Sequence, residues 1–384
     1  MLRRVAFALL ALALSMVPCA CGDRPARESS ADVVAARAAA WLWEQQGEDG
    51  GWHSETYGLL SSGQSLTALV LHALLAVPEG RARRPAGGVE RGLRFLRAHV
   101  DADGALGLAD PATSDYPCYA TALAIRALGR SSARDAGPDA ALRTRMGRWL
   151  LGQQLAEANG WTPPDAAYGA WGMGGAVRRP PHAGHVDLSM TRHVLEALAP
   201  LSDRRPEVRA CRRAARHFLE RLRVKGEDPT ATLGFFFTTV LPEKNKAGPR
   251  AGGGFEPYGT TNADGVLALL AAGVARDHAQ IRGALAPLVA NHRVDRTPGP
   301  TQLALSGWSD ATVFYYRAAS AEVFARLGVR TAPAGQDWRR DLVRTLAGLQ
   351  AADGHFANES NLMKEDDPLI ATALALRALT AAGS

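Results

Sequence analysis

The sequence predicts an all-α protein whose helices form an (α/α)6 toroid, a double ring of six helical hairpins. One pattern recurs about six times: an amphipathic helix, a Gly-rich turn with an aromatic residue, and an apolar Ala/Leu helix that ends at Gly or Pro. The first helix of each pair carries Arg, Glu and Gln on one face, whereas the second is apolar nearly all round and must be buried. No run alternates as a strand would. Strict alternation of half-exposed and buried helices therefore predicts two concentric rings.

The repeats follow one another along the whole body of the chain. The first runs from Val33 through Trp52 to "SLTALVLHALLAVP", and the second runs from "VERGLRFLRAHVDADGALG" to "DYPCYATALAIRALG". The third joins "RTRMGRWLLGQQLAEANGW" to "HVDLSMTRHVLEALAPL" through a long loop rich in Gly, Pro and aromatic residues. The fourth pairs "VRACRRAARHFLERLR" with "GGFEPYGTTNADGVLALLAAG", and the fifth pairs "QIRGALAPLVANHRV" with "WSDATVFYYRAASAEVFARLG". The sixth joins "WRRDLVRTLAGLQAADGHFAN" to "DDPLIATALALRALTAAG".

Two of these repeats align closely enough to make coincidence a poor explanation. The segments "DYPCYATALAIRALG" and "DDPLIATALALRALTAAG" superimpose without a gap, which places Asp115 on Asp366 and Thr121 on Thr372. We therefore assign residues 32–384 to a single toroid domain, with no second domain.

The N-terminus has the composition of an export signal. "MLRR" is a positive n-region, "VAFALLALALSMV" is an apolar h-region too short to span a bilayer comfortably, and "PCACGD" supplies small residues for cleavage. We expect a lipoprotein-type signal peptide at residues 1–21, lipid attachment at Cys21 and a linker at residues 22–31. The predicted location is the outer side of a membrane, as a lipid-anchored protein, with a plainly periplasmic or secreted protein as the alternative.

Charge and cysteine content exclude several other classes of protein. The net charge of +6 comes mainly from arginines scattered among alanines, without a basic stripe interleaved with aromatic residues, so we expect no nucleic-acid partner. Only Cys118 and Cys211 lie in the body of the chain, and two cysteines so far apart are typical of buried, inert thiols.

Three turns carry a more specific pattern, in which a helix is followed by glutamine and then by Gly-x-Trp. "WLWEQQGEDGGW" and "WLLGQQLAEANGW" are good copies and "GLQAADGHF" is a weaker one. In this pattern the chain resembles the prenyltransferase and squalene-cyclase repeat proteins over most of residues 33–382. The resemblance implies the toroid fold, and it implies that the glutamine and Trp52 tie the end of an outer helix to the neighbouring inner helix.

The resemblance does not extend to the catalytic motifs of that family. The cyclases carry an Asp-x-Asp-Asp or Asp-Cys-Thr-Ala-Glu acid motif, and the nearest cluster here, "KEDDPLI", lacks the first aspartate. The protein prenyltransferases hold zinc with Asp-x-Cys and a distant histidine. The corresponding residues here are Asp115, Cys118 and either His185 or His193, with the spacing Asp-x-x-Cys, so we expect no metal and no cofactor.

All the Gly/aromatic loops are expected on one face of the ring, because every outer helix ends and every inner helix begins there. Carboxylates fall at or just before the inner-helix starts, where they either cap the helices or place an acid and a base as (α/α)6 glycosidases and lyases do. The candidate catalytic residues are Asp187, Asp264 and Asp310. The candidate ligand-binding residues are Tyr116, Trp171, His185, Tyr258, Asn262, Trp308 and Tyr315.

Two functions fit a site at this face of the ring, which forms the mouth of the toroid. The first is a non-catalytic toroid that binds an isoprenoid, lipid, glycan or protein partner, and it is favoured because the family's catalytic motifs are missing. The second is an enzyme, either a divergent terpenoid cyclase or prenyltransferase, or a glycan hydrolase or lyase. Two carboxylates about 5 to 9 Å apart across a cleft would favour a glycosidase, whereas carboxylates bonded to their own helix ends would exclude it. An apolar cavity with one central acid that caps no helix would favour a cyclase.

Overall fold

The computed structural model describes residues 30–108, 110, 114–131, 139–200, 205–226 and 232–384. The predicted signal peptide, its Cys21 and the linker up to residue 29 lie outside the described residues. Export and lipid attachment therefore stay predictions. Among the helices that the structure describes, none combines the length and the apolarity needed to cross a bilayer.

The described residues form twelve long α-helices and two short ones. In chain order the fourteen are α1 (Ala31–Glu44), α2 (Gln64–Leu74), α3 (Gly88–His99), α4 (Pro117–Ser131), α5 (Ala140–Gly152), α6 (Leu188–Leu198), α7 (Pro206–Leu222), α8 (Gly259–Ala271), α9 (Ala279–Ala290), α10 (Thr301–Leu305), α11 (Trp308–Ala311), α12 (Val313–Leu327), α13 (Trp338–Leu349) and α14 (Pro368–Ala382). The described part of the chain has no other α-helix.

The long helices form two concentric rings, so the predicted (α/α)6 toroid is confirmed. Helices α2, α4, α6, α8, α12 and α14 each pack against the next in that order, and α14 packs against α2 to close the inner ring. The remaining long helices lie outside: α3 contacts α2, α5 contacts α4, α7 contacts α6 and α8, α9 contacts α8, and α1 and α13 contact α14. Each inner helix is thus buried on all sides, as its apolar sequence requires.

A small β-hairpin between α7 and α8 departs from the all-helical prediction. Strands β1 (Arg223–Lys225) and β2 (Thr232–Phe235) pair antiparallel, with Arg223 opposite Phe235. The buried Phe235 ring lies against α8, where a Cβ at Gly265 would approach ring atom Cδ2 to 2.2 Å. The pairs are too few for an alternating pattern to be recognised in the sequence.

The tryptophan of the repeated turn joins the two helices of its own hairpin. Trp52 is fully buried, and its indole Nε1 donates to the carbonyl oxygen of Leu42, near the end of α1, at 2.6 Å. Its backbone N donates to Thr67 Oγ1 on α2 at 2.9 Å. In the third repeat the same two contacts are made by Trp171, which donates to Leu150 O at 2.7 Å and to Thr191 Oγ1 at 3.3 Å. The tryptophan of the sequence motif, Trp161, instead donates to Arg178 O at 3.0 Å.

The glutamine of the same turn reaches the next outer helix and not the inner helix that the resemblance implied. Gln46 Nε2 donates to Gly50 O at 2.9 Å in its own loop and to Gly88 O at 3.0 Å at the start of α3. The two other copies donate in the same way: Gln154 to Gly169 O and Cys211 O, and Gln350 to Gly354 O and Val34 O. Because Val34 lies on α1, the last of these bonds closes the outer ring.

The glycine of this turn is required by the close approach of the next outer helix. Gly50 has φ +92°, and a Cβ there would lie 2.6 Å from the carbonyl oxygen of Arg91 on α3. Only glycine adopts this positive φ without strain and also leaves room for the Arg91 carbonyl oxygen. The Asp-Gly-Gly-Trp sequence therefore places the indole under the end of α1 while the backbone passes against α3.

We expect Trp52→Phe to lower the free energy of unfolding by about 1–2 kcal/mol, because the buried Leu42 carbonyl loses its short bond to Nε1. That carbonyl would keep only the longer bond from Gln45 N, at 3.3 Å. Urea denaturation measures the change, with Trp41→Phe on the half-exposed face of α1 as the matched control. Equal losses in the two variants would show that the Nε1 bond does not stabilise the fold.

Candidate functional site

A cavity of about 530 Å³ occupies the centre of the inner ring, and its volume lies within the roughly 300–1,000 Å³ usual for small-molecule sites. Its wall is made by the first turns of the inner helices, most of which contribute side chains four residues apart. These wall residues are Ser65, Leu66, Leu69, Tyr119, Leu123, Ser189, His193, Thr260, Asp264, Tyr315, Ile370, Leu374 and Arg377. The cavity is therefore largely apolar, with its polar groups concentrated on α6, α8 and α12.

The mouth of the cavity is formed by the loops that precede the inner helices. Its residues are Leu60, Tyr116, Met173, His185, Asp187, Phe237, Glu243, Lys244, Lys246, Tyr258, Trp308, Thr312, Met363 and Lys364. Of the seven predicted ligand-binding residues, five line the mouth or the wall, and Trp171 and Asn262 do not. Trp171 joins α5 to α6, and Asn262 Oδ1 accepts a bond from Phe235 N at 2.9 Å, which holds the hairpin on α8.

Asp264 lies one turn inside α8 and faces the cavity. Tyr315 Oη donates to its two carboxyl oxygens, at 2.9 and 3.1 Å, and Arg192 Nη1 lies 3.4 Å from Oδ1. Burial raises the pKa of Asp264 to about 7; the negative charges of Asp187 and Glu196 act in the same direction, whereas Arg192 and the Tyr315 hydroxyl oppose it. The group thus holds its proton up to about neutral pH.

A chain of hydroxyl groups leads to Asp264 across the ring. Tyr119 Oη on α4 donates to Ser189 Oγ on α6 at 2.7 Å, and Ser189 Oγ lies 2.5 Å from Tyr315 Oη on α12. Because the Tyr315 hydrogen points to Asp264, Ser189 is the donor in this second bond. The chain fixes the Tyr315 hydroxyl and, through it, the orientation of the carboxyl group.

Below the cavity, a network of buried ion pairs joins four inner helices. Glu322 on α12 accepts from Arg192 on α6 and from Arg377 on α14, each at 2.5 Å. These two cations hold the pKa of Glu322 well below its usual range even though burial opposes them. The second carboxylate, Glu196, pairs with Arg126 at 2.9 Å, with Arg326 at 2.8 Å and with Arg192 at 3.1 Å. The network thus links inner helices to one another beneath the Asp264 carboxyl group.

The sequence analysis missed this network because it described the inner helices as apolar nearly all round. A signal was nevertheless present: Arg126, Glu322 and Arg377 are each the tenth residue of their helix, and Glu196 is the ninth. The aligned second and sixth repeats even place Arg126 on Arg377. Isolated charges at one depth in several buried helices indicate a shared ionic layer.

Four carboxylates near the starts of the inner helices hold helix ends, whereas Glu243 is exposed at the mouth. Asp187 caps its own helix, α6, since Oδ1 accepts from Met190 N at 2.7 Å while Oδ2 accepts from His185 Nε2 at 2.9 Å. Asp367 caps α14 through Leu369 N at 2.9 Å. Two further groups cap a neighbouring helix: Asp115 accepts from Ser65 N of α2 at 3.0 Å, and Glu365 accepts from Phe314 N and Tyr315 N of α12 at 2.9 and 2.8 Å.

Two sets of candidates remain, namely Asp310 and the group of possible metal ligands. Asp310 is exposed on the short helix α11 and does not line the cavity. The group of Asp115, Cys118 and His185 or His193 is not assembled, because no three potential ligands come together within the described ranges. Cys118 is buried with a free thiol, and burial raises its pKa.

Comparison with solved structures identifies the class of fold. A protein from Actinoplanes matches with TM-score 0.55 and 14% identity, over 92% of this chain and 100% of that one. The type II terpene cyclase MstE from Scytonema matches with TM-score 0.55 and 13% identity, over 92% of this chain and 98% of the enzyme. A substituted form of MstE in complex with its substrate, geranylgeranyl dihydroxybenzoate, matches with TM-score 0.56 and 13% identity, over 92% and 97%.

These likenesses show a terpenoid cyclase-like α/α toroid, and at such identities they show the fold alone. No family model matches the sequence. No curated protein matches it significantly.

Proposed function

We propose that this chain binds an isoprenoid in the central cavity and catalyses its acid-initiated cyclisation, with Asp264 as the proton donor. The observation that supports this proposal is one buried carboxyl group that caps no helix and faces a largely apolar cavity. The sequence analysis favoured binding without catalysis, because the acid motifs of the cyclases are missing. Asp264 provides an acid on α8, outside any such motif, and this position favours the catalytic alternative.

The proposed step is a proton transfer from the carboxyl group to an alkene. The Asp264 O–H bond breaks, the alkene π pair forms a new C–H bond, and the neighbouring carbon becomes a cation. The next alkene attacks that cation and closes a ring, and the final cation loses a proton to water. The Asp264 carboxylate then takes a proton from solvent, so the acid is restored and the product is an isomer of the substrate. The carboxylate left behind is stabilised by the Tyr315 hydroxyl and Arg192.

Aromatic side chains lie where the cations would form. Tyr119, Tyr258 and Trp308 line the cavity, and the face of an aromatic ring attracts a cation. An apolar wall also excludes the water that would otherwise capture the first cation. The cavity therefore combines an acid, cation-stabilising rings and a dry surface.

The glycan hydrolase alternative finds no second carboxylate among the predicted catalytic residues. Asp187 uses both oxygens, one to cap α6 and one to hold His185, and Asp310 lies outside the cavity. Glycosidases require an acid and a second carboxylate that acts as a base or nucleophile. Among the predicted catalytic residues only Asp264 has the position of a reacting group.

The rate should depend on pH in the direction set by the pKa of Asp264, which burial raises to about 7. Because the reacting form is the protonated acid, we expect a constant rate below pH 7 and a fall of about tenfold per pH unit above it. Product formation measured between pH 5 and 9 gives the profile. A rate that rises through pH 7 would contradict the assignment, since the carboxylate would then be acting as a base.

The proposal is tested by incubating the full-length protein with geranylgeraniol, geranylgeranyl phosphate and geranylgeranoic acid. Gas chromatography with mass spectrometry, after removal of phosphate where present, detects products of unchanged mass and altered retention. Formation of such isomers from at least one substrate is expected. Binding of all three compounds without conversion would instead support the non-catalytic function that the sequence favoured.

A further inference from the structure

A lysine at the mouth, Lys246, forms no ion pair with any carboxylate of the described residues. Lys246 lines the cavity on the loop between β2 and α8. Its ammonium nitrogen lies 4.0 Å from the ring centroid of Phe237 and 5.0 Å from that of Trp308. Within the described part of the chain, no carboxylate oxygen comes within 4.0 Å of it.

This environment disfavours a lone ammonium ion. Burial lowers the pKa of Lys246 to about 8; Lys244 acts in the same direction, while the more distant Asp187 and Asp264 oppose it. Removing an ammonium from water is costly unless an anion approaches it, and aromatic faces compensate only in part. The site is therefore incomplete without a negatively charged group.

Apart from Glu243, which is exposed at the mouth and does not come within 4.0 Å of the Lys246 ammonium, the carboxylates around the mouth are already engaged and do not supply that charge. Both oxygens of Asp187 accept bonds, and Asp367 and Glu365 hold the first turns of α14 and α12. The N-termini of α6, α12 and α14 are likewise occupied by these carboxylates. Lys246, with Lys244 and Lys364 also at the mouth, remains to attract an anion from outside.

We propose that the ligand of this cavity is amphipathic and carries an oxyanion head group, a phosphate or a carboxylate, which binds the Lys246 ammonium between Phe237 and Trp308. The inference rests on the proposed function, because it assigns the other end of the same isoprenoid. The apolar chain passes from the mouth to the wall where Asp264 faces it. Lys246 thereby fixes which end of the chain enters first and which alkene reaches the acid.

Binding measurements on the Asp264→Asn protein, which cannot convert the ligand, test the head-group site. Titration calorimetry compares geranylgeranyl monophosphate, geranylgeranoic acid and the neutral geranylgeraniol. A charge-assisted contact is expected to make at least one anion bind about tenfold or more tightly than the alcohol. The anion that binds more tightly identifies the head group as phosphate or carboxylate.

The same comparison is then made with Lys246→Met, Lys246→Arg and Lys225→Met added in turn. Lys225 is a half-exposed lysine on β1 paired with Glu220, and it serves as the matched control. We expect the preference for the anion to fall to within about twofold in Lys246→Met and to persist in Lys246→Arg and Lys225→Met. The head-group proposal alone would be overturned if Lys246→Met kept the preference for the anion. It would also be overturned if the Asp264→Asn protein, with no further substitution, bound the alcohol and the anions equally. Failure of all three compounds to bind would overturn the isoprenoid cavity itself.

Discussion

Asp264→Asn is expected to reduce the cyclisation rate by about 10³-fold or more, because asparagine has the shape of the protonated acid but no acidic proton. The amide oxygen still accepts the bond from Tyr315, so the hydroxyl chain through Ser189 is kept. The substitution also removes the tendency of a buried carboxyl group to ionise. We therefore expect the melting temperature to stay the same or to rise.

Asp310→Asn is the matched control for this experiment, since Asp310 is exposed and lies outside the cavity. Its rate should stay within about twofold of the native value, as is usual for surface substitutions remote from a site. Initial rates at saturating substrate, with melting temperatures for both variants, separate catalysis from folding. An Asp264→Asn protein with more than a tenth of the native rate would exclude Asp264 as the proton donor.

Glu322→Gln should be strongly destabilising, with a loss of about 3–5 kcal/mol in the free energy of unfolding. Glu322 is the shared partner of Arg192 and Arg377, which are both buried and which come from α6 and α14. Removing its charge takes away the carboxylate that Arg377 pairs with, and it leaves the buried Arg192 with Glu196 and Asp264 as its remaining carboxylate neighbours. Urea denaturation, followed by circular dichroism, measures the loss.

An exposed ion pair provides the comparison for this prediction. Asp341 on α13 lies 2.9 Å from Arg344, whose side chain is 76% exposed. Asp341→Asn should cost less than about 1 kcal/mol, because surface ion pairs contribute little. If Glu322→Gln were no more destabilising than Asp341→Asn, the ionic layer would not be holding the inner helices together.

The fold could be predicted because its signal is repeated and local. Each inner helix is apolar over many consecutive residues, and a Gly-rich turn recurs before it, so an error in one repeat is corrected by the others. The contacts of Trp52 and Gln46 then follow from the turn geometry. The target of the glutamine was wrong, since sequence order does not reveal which neighbouring helix passes closest, and the β1–β2 hairpin was missed.

The role of Asp264 depended on a single helix boundary. The sequence placed this aspartate at or just before the start of an inner helix, where it would cap, but α8 begins at Gly259. That difference of one turn moves the carboxyl group from the rim into the cavity. Helix starts are the least certain feature of a sequence-based prediction, and here the start decides between a structural and a chemical role.

Lys246 could not be placed from the sequence, and the ionic layer could be recognised only by comparing the depths of charged residues across several helices. "KNKAGPR" has no periodicity that would place its lysines, and the Phe237 and Trp308 rings beside Lys246 come from separate loops. The ionic layer joins α4, α6, α12 and α14, which are far apart along the chain. Such sites arise from closure of the ring, which brings together residues without a local pattern.

The central claim, that Asp264 protonates an isoprenoid held in the cavity, is tested most directly by running the reaction in D₂O. Asp264 exchanges its proton with solvent before the substrate binds, so the account predicts one non-exchangeable deuterium per cyclised product, located by mass spectrometry and ²H NMR at the carbon that is protonated first. Product that contains no deuterium, or substrate that is bound and recovered unchanged, would contradict the account.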